Sequence, residues 1–200
     1  WKDCRIPPGA ESGRTAMTLT VDSDAALSRL TTIGTGGRAA AFAEPRTLME
    51  LEEALRLAAD RGLDMVAIGL GSNMLAADDG VDALVVRLAG ELADVAVADE
   101  LLVAGGGATN AVCLHRARAA GLGGLEFACA IPGTAGGGVR MNAGAYGCDW
   151  SAIVHRALVV TAGGSGWLTP TELGLSYRHS ELRAGQVVAR VEYGLRPRPE

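Results

Sequence analysis

The stretch Ile131 to Gly147, IPGTAGGGVRMNAGAYG, constrains this chain more than any other. Glycine stands at Gly133, Gly136, Gly137, Gly138, Gly144 and Gly147, and Arg140 carries the single charge. Each glycine inside a helix costs about 1 kcal/mol against alanine, so the stretch does not read as an ordinary helix. Ile131, Val139, Met141 and Tyr146 give it apolar side chains to bury, so it does not read as a flexible linker. What fits is ordered backbone held very close to something else, with the missing Cβ atoms making room. A large, flat, anionic cofactor needs a wall of that kind.

Bulk properties set the limits around that feature. Two hundred residues suffice for one large domain or two small ones with a real core. Apolar residues make up 48% and charged residues 20%, the balance of a soluble globular chain. A net charge of −5 argues against nucleic acid, which needs a basic face. Arg87, Glu91 and Asp94 interrupt the best apolar run, which argues against a membrane span. Cys4, Cys113, Cys129 and Cys148 form no CxxC pair and no metal spacing with His115, His155 or His179. They read as reduced thiols of a cytoplasmic protein.

Hydrophobic period and turn chemistry divide the chain. Residues 1–16 show no helical or strand period, and Met17 opens a plausible natural start, so residues 1–29 read as an N-terminal extension. Thr47 to Arg61 reads as a helix with Thr47 as N-cap, Glu50 completing a capping box and Gly62 closing the end. Strands are expected at Asp64–Ile68 and Ala83–Leu88, with the glycine turn Gly69–Leu75 between them. This is a small α/β unit spanning residues 30–89. A second unit, residues 90–197, carries strands at Ala93–Val97 and Leu101–Ala104 and a helix at Thr109–Ala120. A hairpin across Ala162–Ser165 follows, then a short capped helix from Thr169 to about Leu173 and a strand at Val187–Leu195. Arg196–Pro199 reads as a linker, as if something followed.

Four constellations could carry chemistry. Gly69-Leu70-Gly71-Ser72-Asn73 follows a strand directly. Its glycines let backbone N–H groups converge on an anion such as a pyrophosphate, and Ser72 and Asn73 add side-chain hydrogen bonds. A plain turn explains the same letters, and neither the Rossmann nor the Walker pattern is present. Thr31 to Arg38 fits either a glycine-rich approach to a strand or a further wall of a nucleotide cleft. Gly121 to Ala130 leads into the opening stretch and fits a packed core loop or part of a ligand wall. Tyr177-Arg178-His179-Ser180 sets a guanidinium beside an aromatic ring, which can grip a carboxylate through two hydrogen bonds. A lone His179 is more often structural than catalytic.

Taken together, Thr32–Arg38, Gly69–Leu75, Gly124–Gly147 and Ser176–Ser180 resemble, in this order, the motifs of the UDP-N-acetylenolpyruvoylglucosamine reductase (MurB) family of peptidoglycan synthesis. The resemblance runs from about Leu30 to Pro197. It implies an α+β, FAD-binding PCMH-type fold like that of vanillyl-alcohol oxidase, with two α/β subdomains clasping a noncovalent FAD. It implies that Gly69, Gly71, Ser72 and Asn73 hold the pyrophosphate. Ile131, Pro132, Gly133, Thr134 and Gly136 would line the adenosine and isoalloxazine side, with Asn142 and Ala143 nearby. NADPH would be the reductant and a UDP-sugar the substrate. Arg178 matches the family's catalytic arginine, which stabilises charge developing at the enolpyruvyl carboxylate, and Tyr177 matches the tyrosine beside it.

The sequence departs from the family at Leu70, where glycine is usual, and mildly at Thr134–Gly138. It matches neither the protonating serine nor the assisting glutamate of the family's third, substrate-binding domain. The expectation is therefore a chain that binds FAD but turns over poorly. Two further readings stand beside it. One is an FAD-linked sugar or alcohol oxidase of the same fold, which would often tether its flavin through a histidine. The other is a flavin-binding module without catalysis.

Overall fold

The computed structural model describes residues 19–198, so the expectation for residues 1–16 lies outside the described residues. The first sheet holds β1 (Val21–Ala26), β2 (Arg38–Ala43), β3 (Asp64–Ala67) and β4 (Val81–Val86), in the order β1-β2-β4-β3. Strand β1 is antiparallel to β2, and the β2–β4 and β4–β3 pairs are parallel. Ala83, Leu84, Val85 and Val86 are all buried, as a parallel strand covered on both faces requires. The sheet thus begins at Val21, inside the stretch expected to be an extension. The weakly apolar VDSDAA carries little strand signal, and pairing with β2 orders it.

Helix α1 (Leu48–Arg61) joins β2 to β3. Thr47 Oγ1 accepts from the Glu50 N–H at 3.2 Å, and Gly62 closes the helix in the left-handed region. The expected capping box is shifted by one residue: the Glu50 carboxylate accepts from the Arg46 N–H at 2.6 Å rather than from that of Thr47. The buried stripe Leu51, Ala54, Leu55 and Ala58 packs with Leu84 and Val86 of the first sheet and with Val160, Val187 and Ala189 of the second. Burying a leucine there contributes about 1.5–3 kcal/mol, so α1 holds the two sheets together.

The second sheet is antiparallel. It contains β5 (Val95–Ala98), β6 (Leu101–Gly105), β10 (Val154–Thr161), β11 (Gly164–Leu168) and β12 (Val187–Gly194), in the order β11-β10-β12-β6-β5. Between β6 and β10 the chain forms α2 (Asn110–Ala119), β7 (Leu122–Gly123), α3 (Ala135–Arg140) and the small hairpin of β8 (Gly144–Ala145) and β9 (Cys148–Asp149). The last strand, β13 (Arg196–Pro197), pairs with β7, so part of the expected linker is bound to the domain. Thr169–Leu173 makes one helical turn, closed by the Leu173 N–H on Thr169 O at 2.9 Å, and no further helix. Glu172 still caps Thr169 there.

Helix α3 corrects the reading of the glycine stretch, which does contain a helix. Tertiary packing overrides the propensity cost: a Cβ on Gly138 would lie 2.6 Å from Cε2 of the buried Trp150. Trp150 is fixed in turn, meeting Phe127 edge to face at 4.9 Å and donating its Nε1–H to Tyr193 Oη at 2.9 Å. Burial raises the ionisation of the Tyr193 phenol well above its ordinary range and pushes the Cys113 thiol up to about 12. Cys113, Cys129 and Cys148 are free thiols. No helix among the described residues is long and apolar enough to cross a membrane.

Two outcomes follow from this packing. Gly138→Ala forces a methyl into Trp150 and should destabilise the protein by about 1–3 kcal/mol in a urea titration. At pH 8 the Cys113 thiolate is almost unpopulated, so mass-resolved alkylation should modify exposed Cys129 and Cys148 quickly and Cys113 only after unfolding.

Candidate functional site

The cleft opens where β3 ends. Ile68 N–H still pairs with Val86 O at 2.8 Å; the chain then turns through Gly69–Met74 toward the loop Ala130–Thr134 and helix α3. These two segments meet because Gly69 has no side chain: a Cβ there would sit 2.7 Å from Thr134 Oγ1. Thr134 is the N-cap of α3, its Oγ1 accepting from the Gly137 N–H at 3.4 Å. It also bridges to Thr109, the N-cap of α2. Ser72 Oγ donates to Pro132 O at 2.8 Å and ties the two lips together. From behind, Thr32 donates both its N–H and its Oγ1–H to Gly71 O. Thr31–Arg38 therefore braces the turn and lines neither cavity of the cleft. Half of the lead-in Gly121–Ala130 is buried, Leu125 and Phe127 in the core, and only Ala130 reaches the cleft.

The cleft has two lobes. The larger, about 510 Å³, is walled by Gly69–Met74, Ala130–Thr134, Met141, Ala143, Gly144 and Arg178. The smaller, about 290 Å³, lies between β3 and the segment Arg183–Val188, beneath Gly106, Gly107 and Gly136. Their sizes are those of small-molecule and cofactor sites. Arg140, Arg178 and Arg183 line the lobes, whereas no Asp or Glu lines either. A chain of net charge −5 has thus kept acids out of this one concavity, which suits an anion. Asn110 Oδ1, in the wall of the larger lobe, is the one buried side-chain polar atom among the described residues without a hydrogen-bond partner. Its Nδ2 donates to Ile131 O at 3.0 Å, and its N–H to Gly133 O at 3.0 Å.

Ten of the thirteen expected site residues gather around the larger lobe: Gly69, Gly71, Ser72, Asn73, Ile131, Pro132, Gly133, Thr134, Ala143 and Arg178. Gly136 lines the smaller lobe. Asn142 lines neither: it is only 1% exposed, and both ends of its amide are bonded to protein. Tyr177 is 84% exposed and lines neither lobe, although the Arg178 Cζ lies 5.2 Å from its ring centroid. His179 lies outside both lobes, 3.7 Å from the Glu181 carboxylate at the surface. Sequence reasoning missed Asn110, Arg140 and Arg183. Only Arg140 gave a signal, as the lone charge among glycines. No group of three or more metal-ligating side chains occurs among the described residues.

Arg178 is held with unusual firmness for a surface arginine. Ser176 and His179 exchange backbone hydrogen bonds at 3.0 and 3.1 Å, so Tyr177 and Arg178 form the corner of a tight turn. Arg178 takes φ 55°, a strained value for a residue with a side chain. Alternate residues of the glycine stretch anchor that turn. Arg140 O accepts from Ser180 Oγ at 2.6 Å, Asn142 Nδ2 donates to Ser176 O at 2.8 Å, and Gly144 O accepts from Arg178 Nη2 at 2.6 Å. The Asn142 Oδ1 also accepts from the Ser151 N–H at 2.9 Å. Asn142 thus braces the arginine turn with both ends of its amide.

Comparison with known proteins agrees with this architecture. The FAD binding domain family matches residues 39–167. The chain is 43% identical over 173 residues to UDP-N-acetylenolpyruvoylglucosamine reductase 2 of Symbiobacterium thermophilum, covering 86% of this chain and 56% of that protein. It is 43% identical over 176 residues to the reductase of that name from Rubrobacter xylanophilus, covering 87% and 59%. The crystal structure of UDP-N-acetylenolpyruvylglucosamine reductase from Thermus caldophilus aligns with a TM-score of 0.77 at 33% identity, over 90% of this chain and 63% of that one. A solvent-stable cholesterol oxidase, 18% identical with a TM-score of 0.66, shares the fold. The chain spans somewhat more than half the length of the reductases it matches. For the turn, Asn142→Leu should remove one of two bonds at Ser176 O and one of two at the Ser151 N–H, which keep the His179 N–H and Asp149 Oδ1 as partners, and cost about 1–2 kcal/mol in stability. Hydrogen exchange should rise at residues 176–180; unchanged protection there would remove the positioning role.

Proposed function

The chain belongs to the FAD binding domain family, and from that premise we propose that it is the flavin-holding part of an NADPH-dependent UDP-N-acetylenolpyruvoylglucosamine reductase acting in cytoplasmic peptidoglycan precursor synthesis. The single observation that carries the reading is the two-lobed cleft, with three arginines and no carboxylate in its walls. The Gly69–Asn73 turn and the Ile131–Gly136 segment would hold the FAD noncovalently, the glycine turn offering its backbone N–H groups to the phosphates. When bound, FAD supplies the redox chemistry, passing hydride from NADPH to the enolpyruvyl carbon of the UDP-sugar. The side chains supply position and charge.

Arg178 has the properties its role needs. Hydride addition to an enolpyruvyl ether builds negative charge toward the carboxylate, and a prepositioned guanidinium stabilises it without reorganising. The bond to Gly144 O and the anchored turn provide that preorganisation. Completing the reduction also takes a proton, and no carboxyl, imidazole, thiol or phenol lines either lobe among the described residues. This supports efficient binding and slow turnover for this stretch of sequence. An oxidase with histidine-tethered flavin draws no support from the walls, where no imidazole stands among the described residues.

The test is optical. The purified protein should show the visible bands of oxidised flavin, acid should release that colour as FAD by mass, and NADPH should bleach it without oxygen. The UDP-sugar should perturb the bands, and Arg178→Ala should weaken that perturbation about 10- to 100-fold in concentration while leaving FAD bound. A UDP-sugar titration that leaves the wild-type spectrum silent would favour a passive flavin module; yellow colour that stays with the acid-denatured protein would favour the tethered oxidase.

A further inference from the structure

We propose that Arg140 is the counter-charge for the pyrophosphate of the bound dinucleotide, an inference that rests on the FAD reading above. The two lobes of the cleft share five lining residues: Ala67, Gly69, Thr134, Gly137 and Arg140. These mark the junction between the lobes. A flavin–adenine dinucleotide has a matching shape, two bulky ring systems joined by a narrow dianionic link. A molecule that fills both lobes passes its charged link through the junction. Four of the five junction residues carry no charge, so Arg140 is the single formal charge that meets it.

The geometry of Arg140 fits this role. It is the last residue of α3, and side chains on a helix lean toward the helix N-terminus, here back toward Gly137 and the junction. The guanidinium offers five N–H donors, one of which is bonded, Nη1 donating to Arg183 O at 3.0 Å. Among the described residues no carboxylate pairs with it. Its backbone is fixed from the opposite side, where Ser180 Oγ donates to Arg140 O. A half-buried cation with spare planar donors and no protein acid is suited to a bidentate grip on phosphate oxygens. Arg178 and Arg183 each line one lobe alone, so neither stands at the junction.

A competing explanation is mechanical, that Arg140 serves only to tether the Arg183–Val188 segment. Charge separates the two. FAD affinity, measured by flavin fluorescence from low to high salt, should fall about 10- to 100-fold in Arg140→Gln and lose much of its salt dependence. Arg140→Lys, which keeps the charge, should keep the salt dependence. Thermal melting should confirm that both variants are folded. Wild-type FAD affinity in Arg140→Gln, or weaker binding with unchanged salt dependence, would overturn the assignment and leave the flavin reading intact. A wild-type protein that binds no FAD would overturn both.

Discussion

The cleft depends on close backbone approach around α3. Gly138 lets the helix rest on the indole of Trp150, and a Cβ on Gly136 would lie only 3.0 Å from Gly106 O and Val188 O. Hydrogen bonds complete the seam, with Gly136 N–H donating to Gly106 O at 2.9 Å and Ala135 N–H to Ala108 O at 2.8 Å. A six-residue helix rich in glycine has almost no intrinsic stability. It exists because the second sheet, Trp150 and Thr134 hold it. The helix has no Cβ at Gly136 and Gly138, where backbone and Trp150 press on it, nor at Gly137, which lines the lobes, so its glycines serve both the packing and the cleft wall.

Charge is distributed with the same economy. Acidic residues give the chain its net −5, yet its carboxylates are used away from the cleft. Glu50 caps α1, Glu192 takes a bidentate bond from Arg156, and Glu44 pairs with Arg87. Glu126 accepts from the Gly124 N–H, and hydrogen bonds from its own and that backbone N–H hold its carboxyl below the usual range. Each pairing keeps a negative side chain occupied near its own segment. The lobes are left with three guanidiniums at three different stations, Arg178 in the larger, Arg183 in the smaller and Arg140 in both.

Much of this was legible in the sequence, and the exceptions have physical causes. The α1 cap, the Ala162–Gly163 hairpin and the long strands carry local signals, namely capping residues, paired glycines and apolar period. Glycine density marked Ile131–Gly147 as a close backbone approach, and the family resemblance joined it to Gly69–Asn73 as one site. Strand β1 could not be read, because VDSDAA gains its order from β2 alone. Helix α3 was hidden by its own glycines. The resemblance put Asn142 near the flavin, among residues of which several line the lobes; its amide turns inward at φ 37°, a backbone state that period and propensity do not encode. Asn110 and Arg183 carried no local signal at all, since distant segments bring them to the cleft.

The way the glycine stretch divides its contacts has a consequence for the chemistry. Thr134, Gly136, Gly137 and Arg140 face the lobes, while Arg140 O, Asn142 and Gly144 O hold the Tyr177–Arg178 turn. The walls of the lobes and the anchors of the arginine turn therefore come from one continuous run of about ten residues. A run of this kind fixes the Arg178 guanidinium relative to the lobes without a hinge between them. Electrostatic stabilisation needs that rigidity, because a cation that must move into place gives back part of its advantage as reorganisation. The strained φ of Arg178 fits the same logic: three anchoring bonds over-determine the turn, and the strain persists because the surroundings leave it no cheaper alternative.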